Sequence, residues 1–289
     1  MTNKGSVLTT DGRALAYIER GSADGSPVFL LHGTPGSRLT RYPDPTEYER
    51  RNLRVITYDR PGYGESGPDR GRTVASAAAD IGAIADELGL ERFTTFGVSG
   101  GAPHSLACAA LLPDRVARAA AMVTPAPYDA PGLDFMEGMT ELNVNEFSAA
   151  LEGEETLAEF LEPFVKEAQE DADKLVADIE AELPPVDQAV LARPEVREIL
   201  RESMAEAVRQ GSRGWIDDDL AFTKAWGFEL ERIETEVGLW QGELDVLAPR
   251  SHGEYVAKQL PNGIFHLIPG AGHMDYDEWP AVFDWLVAR

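Results

Sequence analysis

The chain has 289 residues, of which 43% are hydrophobic, and a formal net charge of −24 at pH 7. This charge argues against nucleic acid as a partner, because phosphates need Lys and Arg to displace their counterions. The single cysteine, Cys108, excludes an internal disulfide framework and a CxxC metal site, and we expect neither a metal nor an organic cofactor. Without a signal-like apolar run or a stretch of about 20 apolar residues, we expect a cytoplasmic protein with no membrane partner.

The first half of the chain alternates apolar β-type runs with helical periodicity. Two short runs around the "DG" at 11–12 predict a hairpin. The continuous β-branched runs that follow are typical of strands buried on both faces, and apolar residues at helical spacing predict the helices between them. These elements are the strands at 27–33, 53–59 and 93–98 and the helices at 73–89 and 100–112.

The second half contains three further strand-like runs, separated by a long helical stretch. The runs are "VARAAAMVTP" (116–125), "VGLWQGE" (237–243) and "IFHLIPG" (264–270). Strands that alternate with helices predict an α/β fold with a mostly parallel, doubly wound sheet of about eight strands. Residues 132–213 are helical almost throughout, so we expect a core domain of residues 1–131 and 214–289 with an inserted helical cap at 132–213.

The predicted cap is the most acidic part of the chain. It holds 21 Asp and Glu against 7 Lys and Arg. The plain interpretation is a solvated helical surface that aids solubility. The alternative is an electrostatic field that favours neutral or cationic small-molecule substrates.

Ser99 lies at the sharpest corner that the sequence predicts. The stretch "FGVSGG" (96–101) leads from a strand into a helix, and Gly97 and Gly101 flank the serine at two residues on either side. Glycines there permit tight packing of strand against helix around a strained turn. Ligands bind beyond the carboxyl ends of parallel strands, so we predict that Ser99 is a nucleophile rather than a structural helix cap.

A serine nucleophile needs a base, and His273 is the best placed of the five histidines. It follows the last strand in the glycine-rich loop "IPGAGHMD", which can hold an imidazole over the same edge of the sheet. The imidazole in turn needs a carboxylate, and we predict Asp245, which follows the strand at 237–243. Glu243 and Asp129 are the competing positions for this acid, whereas Asp275 and Asp277 would act only locally.

The negative oxygen of an intermediate needs preorganised donors. One is expected to be the backbone N–H of Gly100, at the start of a helix, and the other that of Thr34 in "HGTPGS". His32, at the end of the strand before Thr34, is expected near the cleft as loop support or as a substrate contact. The hydrophobic residues of the predicted cap either line an acyl pocket or pack against the core: Phe135, Met136, Met139, Phe147, Phe160 and Phe164.

At this point the sequence resembles the α/β-hydrolase superfamily over nearly its whole length. The resemblance implies Ser99 as nucleophile, His273 as base and Asp245 as acid, with Gly100 and Thr34 as oxyanion donors. It also implies that the helical insertion is a cap that carries substrate specificity. The motifs that carry the resemblance are "HGTPGS" (32–37), "DRPGYGESG" (59–67), "GVSGG" (97–101), "GELD" (242–245) and "GAGHM" (270–274).

The resemblance also excludes two classes of enzyme. Dehalogenases and epoxide hydrolases of this fold use aspartate at the elbow, and this chain has Ser99, which removes both. In the "DRPGYGES" stretch we expect Asp59 and Arg60 to pair or hydrogen-bond at a turn, a structural role.

The leading interpretation is a serine hydrolase that cleaves a small carboxylic ester, lactone or thioester through an acyl-enzyme. A proline-iminopeptidase-like aminopeptidase is the alternative, because an acidic cap can hold a substrate ammonium, although "GVSGG" differs from that group's usual GGSWG elbow. Hydrolysis of a C–C bond in a diketone uses the same triad. Outside the hydrolases, a catalytically silent ligand receptor or a cofactor-free lyase on the same fold stays open.

Overall fold

The computed structural model describes residues 2–288, and its centre is a single eight-stranded sheet. The strand order is β1-β2-β4-β3-β5-β6-β7-β8, with β1, β2 and β4 paired antiparallel and all later pairs parallel. The predicted α/β fold of about eight mostly parallel strands is therefore confirmed. The strands are β1 (Thr2–Leu8), β2 (Ala14–Gly21), β3 (Ser26–Leu31), β4 (Leu53–Tyr58), β5 (Phe93–Val98), β6 (Val116–Met122), β7 (Val237–Gly242) and β8 (Gly263–Ile268).

The sheet is covered on both faces, which explains why its central strands are apolar without alternation. In β3, Phe29 and Leu31 join one hydrophobic cluster, whereas Val28 and Leu30 join a second cluster on the other face. Side chains alternate between the faces of a strand, so a strand with no solvated face must be apolar throughout. Helices α2 (Ala77–Glu87), α3 (Gly101–Leu111) and α10 (Arg250–Gln259) pack into the first cluster, and α1 (Thr46–Arg50) and α11 (Trp279–Val287) into the second.

Six further helices lie between β6 and β7. They supply most of a third hydrophobic cluster, which includes Leu157, Leu161, Val165 and Trp215 and is joined by Tyr63 from the loop after β4. They occupy residues 141–222 rather than 132–213, and the last of them begins where the predicted cap ends. These inserted helices are α4 (Glu141–Glu152), α5 (Glu154–Glu170), α6 (Ala172–Glu182), α7 (Pro185–Leu191), α8 (Pro194–Ala207) and α9 (Arg213–Phe222).

The strand order also explains where a site can form. Strand β3 lies between β4 and β5, so the chain leaves β3 and β5 toward opposite sides of the sheet. Such a reversal opens a crevice at the carboxyl ends of the strands. The loops after β3, β5, β7 and β8 carry Thr34, Ser99, Asp245 and His273.

Candidate active site

Ser99 occupies the corner between β5 and α3, and its backbone has a left-handed φ of 54°. A non-glycine residue in this region costs on the order of 1–3 kcal/mol and persists only where its surroundings hold it. Here the N–H of Ser99 donates to the carbonyl of Met122 at 2.9 Å, and its carbonyl accepts the N–H of Ala102 at 2.8 Å. A methyl group on Gly97 would overlap the carbonyl of Gly101. Gly97 is therefore required for the close approach of β5 and α3.

His273 and Asp245 form a direct hydrogen bond. The imidazole Nδ1 lies 2.9 Å from both carboxylate oxygens of Asp245. That carboxylate also accepts the N–H groups of Leu247 and Ala248, each at 2.9 Å, and the side-chain amide of Gln241 at 3.0 Å. Because Asp245 is held from several directions, it can fix both the orientation and the tautomer of the imidazole.

The surroundings of His273 favour its protonated form. Burial alone lowers the pKa of this imidazole, but the charge of Asp245 and the hydrogen bond to it act in the opposite sense. The charge of Asp187 adds to that effect, and the net pKa is raised from its ordinary value. An imidazole tuned in this way is a stronger base toward a hydroxyl group.

The competing acid positions lie elsewhere. Glu243 is exposed, and its carboxylate accepts the backbone N–H of Gly270 at 2.9 Å. Asp277 forms an exposed ion pair with Arg193. Of the acids considered from the sequence, Asp245 is the one that the structure brings to the His273 side chain.

Ser99 and His273 line the same cavity, which has a volume of about 110 Å³. Within residues 2–288 the hydroxyl and the imidazole are not hydrogen-bonded to each other. Catalytic hydrogen bonds are often long in ligand-free enzymes and shorten when the substrate binds. The arrangement thus places a serine, a histidine and an aspartate at one edge of the sheet.

Two backbone N–H groups next to Ser99 have no acceptor within residues 2–288. They belong to Gly100, which precedes α3, and to Thr34, which follows β3. A Cβ atom built on Gly100 would lie 3.1 Å from the backbone nitrogen of Thr34, so the two segments are in close contact. Unpartnered donors beside a serine are what an oxyanion hole requires.

The side chain of Thr34 is anchored to α9. Its hydroxyl donates to Oδ2 of Asp218 at 2.7 Å and accepts from Nη2 of Arg60 at 3.0 Å. Asp218 is fully buried and also binds Arg60 at 2.6 Å, Arg72 at 2.6 Å and the hydroxyl of Tyr63 at 2.8 Å. Burial acts to raise the pKa of Asp218, but the two guanidinium groups outweigh burial and hold it well below its usual range.

Asp59 and Arg60 do not pair with each other, but Asp59 does hydrogen-bond at the predicted turn, where its carboxylate accepts the N–H of Glu65 at 2.9 Å. Asp59 accepts the backbone N–H of Arg38 at 2.7 Å and pairs with the guanidinium of the same residue. Arg60 instead reaches Asp218 on α9. The sequence offered no signal for this pairing, since its two members are 158 residues apart.

The five histidines have distinct settings. His32 is buried, with Nδ1 2.7 Å from the carbonyl of Gly33, and its ring packs edge-on against Tyr63. It lines neither of the two cavities at Ser99, in keeping with loop support. His104 faces Asp218, His252 accepts from the N–H of Ala126, and His266 stacks on Trp240.

A second cavity, of about 90 Å³, extends from Ser99 toward the inserted helices. Of the six hydrophobic residues considered for an acyl pocket, Met139, Phe147, Phe160 and Phe164 line it. Phe135 and Met136 do not; Phe135 packs edge-on against Phe147 and His252, and Met136 lies against the same core cluster. Several other lining residues were not predicted from the sequence, among them Glu146, Ile179, Trp215, Asp219 and Phe222.

Helical spacing is the signal that relates these additional lining residues. Trp215, Asp219 and Phe222 recur every three or four positions on α9, and Glu146 is adjacent to Phe147 on α4. Residues at such spacing share a face of a helix. That face was not assigned from the sequence because the predicted cap ended at residue 213.

Glu146 and Asp219 place two carboxyl groups on the wall of this second cavity, where Asp219 is buried and Glu146 half-buried. The indole of Trp215 donates to Glu146, and Oδ2 of Asp219 has no hydrogen-bond partner within residues 2–288. Burial raises the pKa of Glu146, and burial together with the charge of Glu146 raises the pKa of Asp219 well above its ordinary value. The negative charge of Glu146 makes ionisation of Asp219 less favourable, so the two groups disfavour double ionisation.

Two further observations concern residues 2–288 only. Among them there is no group of three or more His, Cys, Asp or Glu side chains arranged to hold a metal ion. Over the same range, each helix is too short or too polar to cross a bilayer.

Comparison with known proteins places the chain in a family. A sequence model of the alpha/beta hydrolase fold matches residues 26–280. A proline iminopeptidase from Xanthomonas citri is 33% identical over 114 residues, which is 37% of this chain and 35% of that protein. The chain thus spans about a third of the length of that curated relative.

Solved structures resemble the whole chain. A thermophilic esterase from Thermogutta terrifontis has a TM-score of 0.69 at 24% identity, covering 98% of both chains. An enol-lactonase from Burkholderia xenovorans LB400 has a TM-score of 0.72 at 19% identity, covering 99% of this chain and 100% of that one. At these identities the likeness concerns the fold. The family match over most of the chain shows that this protein belongs to the alpha/beta hydrolases, and membership supports a hydrolase enzyme.

Proposed function

We propose that the protein is a serine hydrolase that cleaves a small carboxylic ester, lactone or thioester through an acyl-enzyme. One observation carries this proposal: the imidazole of His273, hydrogen-bonded to Asp245, lines the same cavity as Ser99 on its left-handed corner. A hydroxyl group, a base and an orienting acid at one edge of a sheet are the parts that acyl transfer requires.

In the first half of the reaction, Oγ of Ser99 attacks the carbonyl carbon and its proton passes to Nε2 of His273. The N–H groups of Gly100 and Thr34 donate to the oxygen that becomes negative. Collapse of the tetrahedral intermediate breaks the bond to the leaving group, which takes the proton from the imidazolium. Asp245 accepts the hydrogen bond from Nδ1–H of His273 throughout.

In the second half, water attacks the acyl-enzyme. His273 accepts a proton from the water, the same two N–H groups stabilise the new oxyanion, and collapse releases the carboxylic acid. Ser99 regains its proton from the imidazolium.

The inserted helices act as the cap in this proposal. Phe147, Phe160 and Phe164 supply an apolar wall to the cavity that extends from Ser99. Apolar walls of this kind bind the acyl chain of an ester by removing its surface from water. We therefore propose acyl esters as substrates. Because the insertion is acidic, we propose that these substrates are uncharged or cationic.

A fluorophosphonate probe and nitrophenyl esters test the proposal directly. The wild-type protein should be labelled and should hydrolyse a short acyl ester, and Ser99→Ala should lose labelling and lower kcat on the order of 10⁶-fold. Ser251→Ala is the matched control, because Ser251 is an exposed serine on α10. A wild-type protein that is neither labelled nor active on esters, lactones or thioesters would overturn the proposal.

A second candidate, an aminopeptidase of the proline iminopeptidase kind, has one observation in its favour. Glu146 and Asp219 place two carboxyl groups in the cavity beside Ser99, where a substrate ammonium could bind. Initial rates on an aminoacyl anilide and on a nitrophenyl ester separate the two candidates. A preference for the anilide that Glu146→Gln reduces at least tenfold, without a matching loss on the ester, would reverse the ranking.

A further inference from the structure

Asp187 on α7 binds the backbone of the loop that carries His273. Its Oδ2 accepts the N–H of His273 at 2.9 Å, and its Oδ1 accepts the N–H of Met274 at 2.8 Å. The side chain is buried, with 1% of the residue exposed. One carboxylate therefore holds two successive amides, one of which belongs to the predicted base.

The fit between Asp187 and the loop leaves no room for a side chain at Gly272. A Cβ atom on Gly272 would overlap the carboxylate of Asp187. On the other side of the loop, the carbonyl of Gly272 lies close to Gly242. A Cβ atom on Gly242 would overlap that carbonyl. The loop is thus packed between α7 of the inserted helices and the end of β7.

A second contact joins the same two regions. Arg193, which precedes α8, pairs with Asp277 through two hydrogen bonds of 2.7 and 2.8 Å. Both side chains are more than one-third exposed, so the strength of this pair is limited by solvent. The Asp187 contact is the stronger constraint on the loop, because its carboxylate is buried and a buried hydrogen bond is costly to leave unmade.

We propose that Asp187 is a positioning residue for the reaction: it sets the place of the His273 backbone, and hence of the imidazole relative to Ser99. This assignment rests on the proposed function. The geometric reason is that Asp245 fixes the direction of the imidazole through Nδ1, while Asp187 fixes the peptide from which that side chain projects. A misplacement of about 1 Å in a reacting group can cost about 10²-fold in rate.

Asp187→Asn is the first test. The variant keeps the shape of the side chain, but its amide group must face one of the two N–H donors, so one hydrogen bond is lost. We expect kcat on a nitrophenyl ester to fall about 10- to 100-fold with KM nearly unchanged, and fluorophosphonate labelling to slow by a similar factor. The charges of Asp245 and Asp187 both raise the pKa of the His273 imidazole. Removal of the Asp187 charge should therefore also move the acid limb of the kcat/KM profile to lower pH.

Gly272→Ala tests the same contact from the other side. The new methyl group must displace the carboxylate or the loop, and we expect a loss of kcat comparable with that of Asp187→Asn. In Asp187→Ala/Gly272→Ala the methyl group finds vacated space, so the double variant should lose less than the product of the losses measured for Asp187→Ala alone and Gly272→Ala alone. The matched control is Asp171→Ala, an exposed helix cap on α6 that contacts the N–H of Asp173; its kcat should stay within about twofold.

The outcomes separate this assignment from the proposed function. Active wild-type protein with unchanged kcat and acid limb in Asp187→Asn and Gly272→Ala would overturn the assignment alone. If Asp187→Asn failed to melt cooperatively, the contact would be one of stability, which also counts against positioning. An inert wild-type protein would overturn the proposed function and, with it, the assignment.

Discussion

The hydroxyl of Thr34 donates a 2.7 Å hydrogen bond to the buried carboxylate of Asp218. This contact joins the loop after β3 to α9, and the same carboxylate pairs with Arg60 and Arg72. Thr34 supplies one of the two N–H groups assigned to the oxyanion. The last inserted helix therefore helps to place a group of the proposed catalytic machinery.

Replacing Asp218 should be costly for stability. In Asp218→Asn the two buried guanidinium groups lose their shared counter-charge, and breaking a buried ion pair in this way costs about 3–5 kcal/mol of unfolding free energy. Urea denaturation measures the loss. Asp217→Asn is the matched control on the same helix, because burial raises the pKa of Asp217 to about 6 and its charge is less favourable there. Equal losses in the two variants would contradict the role of Asp218.

The pH dependence of activity should follow the protonation of the His273 imidazole. The base must be neutral to accept a proton, and its pKa is raised from the ordinary value of 6.5, so kcat/KM should fall as the pH drops through a value above 6.5. For stability the sign is the opposite: the contribution of a raised histidine pKa is present at low pH and declines as the pH rises through the folded value. An acid limb below pH 6 on a non-ionising ester would contradict this assignment.

Asp245→Asn should lower kcat on the order of 10⁴-fold, because a carboxamide no longer holds the required tautomer of His273. The same change removes the charge that raises the pKa of the imidazole, so the residual activity should have its acid limb at lower pH. Glu243→Gln is the matched control, since Glu243 is exposed two positions earlier. Comparable losses of kcat in Glu243→Gln and Asp245→Asn would contradict the assignment of Asp245 as the acid.

Gly101→Ala should destabilise the protein strongly, whereas Gly82→Ala should not. A Cβ on Gly101 would overlap the carbonyl of Leu31, which forces β3 and α3 apart. Gly82 lies within α2 with nothing within 4 Å of an added Cβ, so alanine there should stabilise the helix by about 0.5–1 kcal/mol. Thermal melts of the two variants should move in opposite directions, and a shift in the same direction would be inconsistent with this packing.

Phe164→Ala should change the preferred acyl chain. The ring of Phe164 lines the second cavity, and its removal makes room for additional methylene groups, each of which contributes about 0.8 kcal/mol when buried. The ratio of kcat/KM for a hexanoyl ester to that for an acetyl ester should therefore rise at least fourfold. Phe228→Ala, outside both cavities, should leave this ratio unchanged. An unchanged ratio in Phe164→Ala would remove this residue from the acyl pocket.

The meeting of Ser99, Asp245 and His273 at one edge could be predicted because each follows a strand of the same parallel sheet. The carboxyl ends of such strands converge, whatever the distance along the chain. The sequence pattern therefore contains this information in the order of strands and helices.

The carboxylates that bind these loops could not be predicted in the same way. Asp187 is 86 residues from His273, and Asp218 is 184 residues from Thr34. Both lie in or beside an acidic helical stretch whose plain interpretation is a solvated surface. Helical periodicity does not distinguish a buried, paired aspartate from an exposed one, because the pairing depends on how the helices dock on the sheet.

The close packing of Gly272 against the carboxylate of Asp187 has a consequence for engineering this enzyme. A hybrid that exchanged residues 132–213 with those of another hydrolase would carry Asp187 away and leave Asp218 behind. The exchange would thus separate Asp187, which binds the loop of His273, from Asp218, which binds the loop of Thr34. A successful exchange needs an acceptor at the equivalent of position 187, or a new loop that does without one.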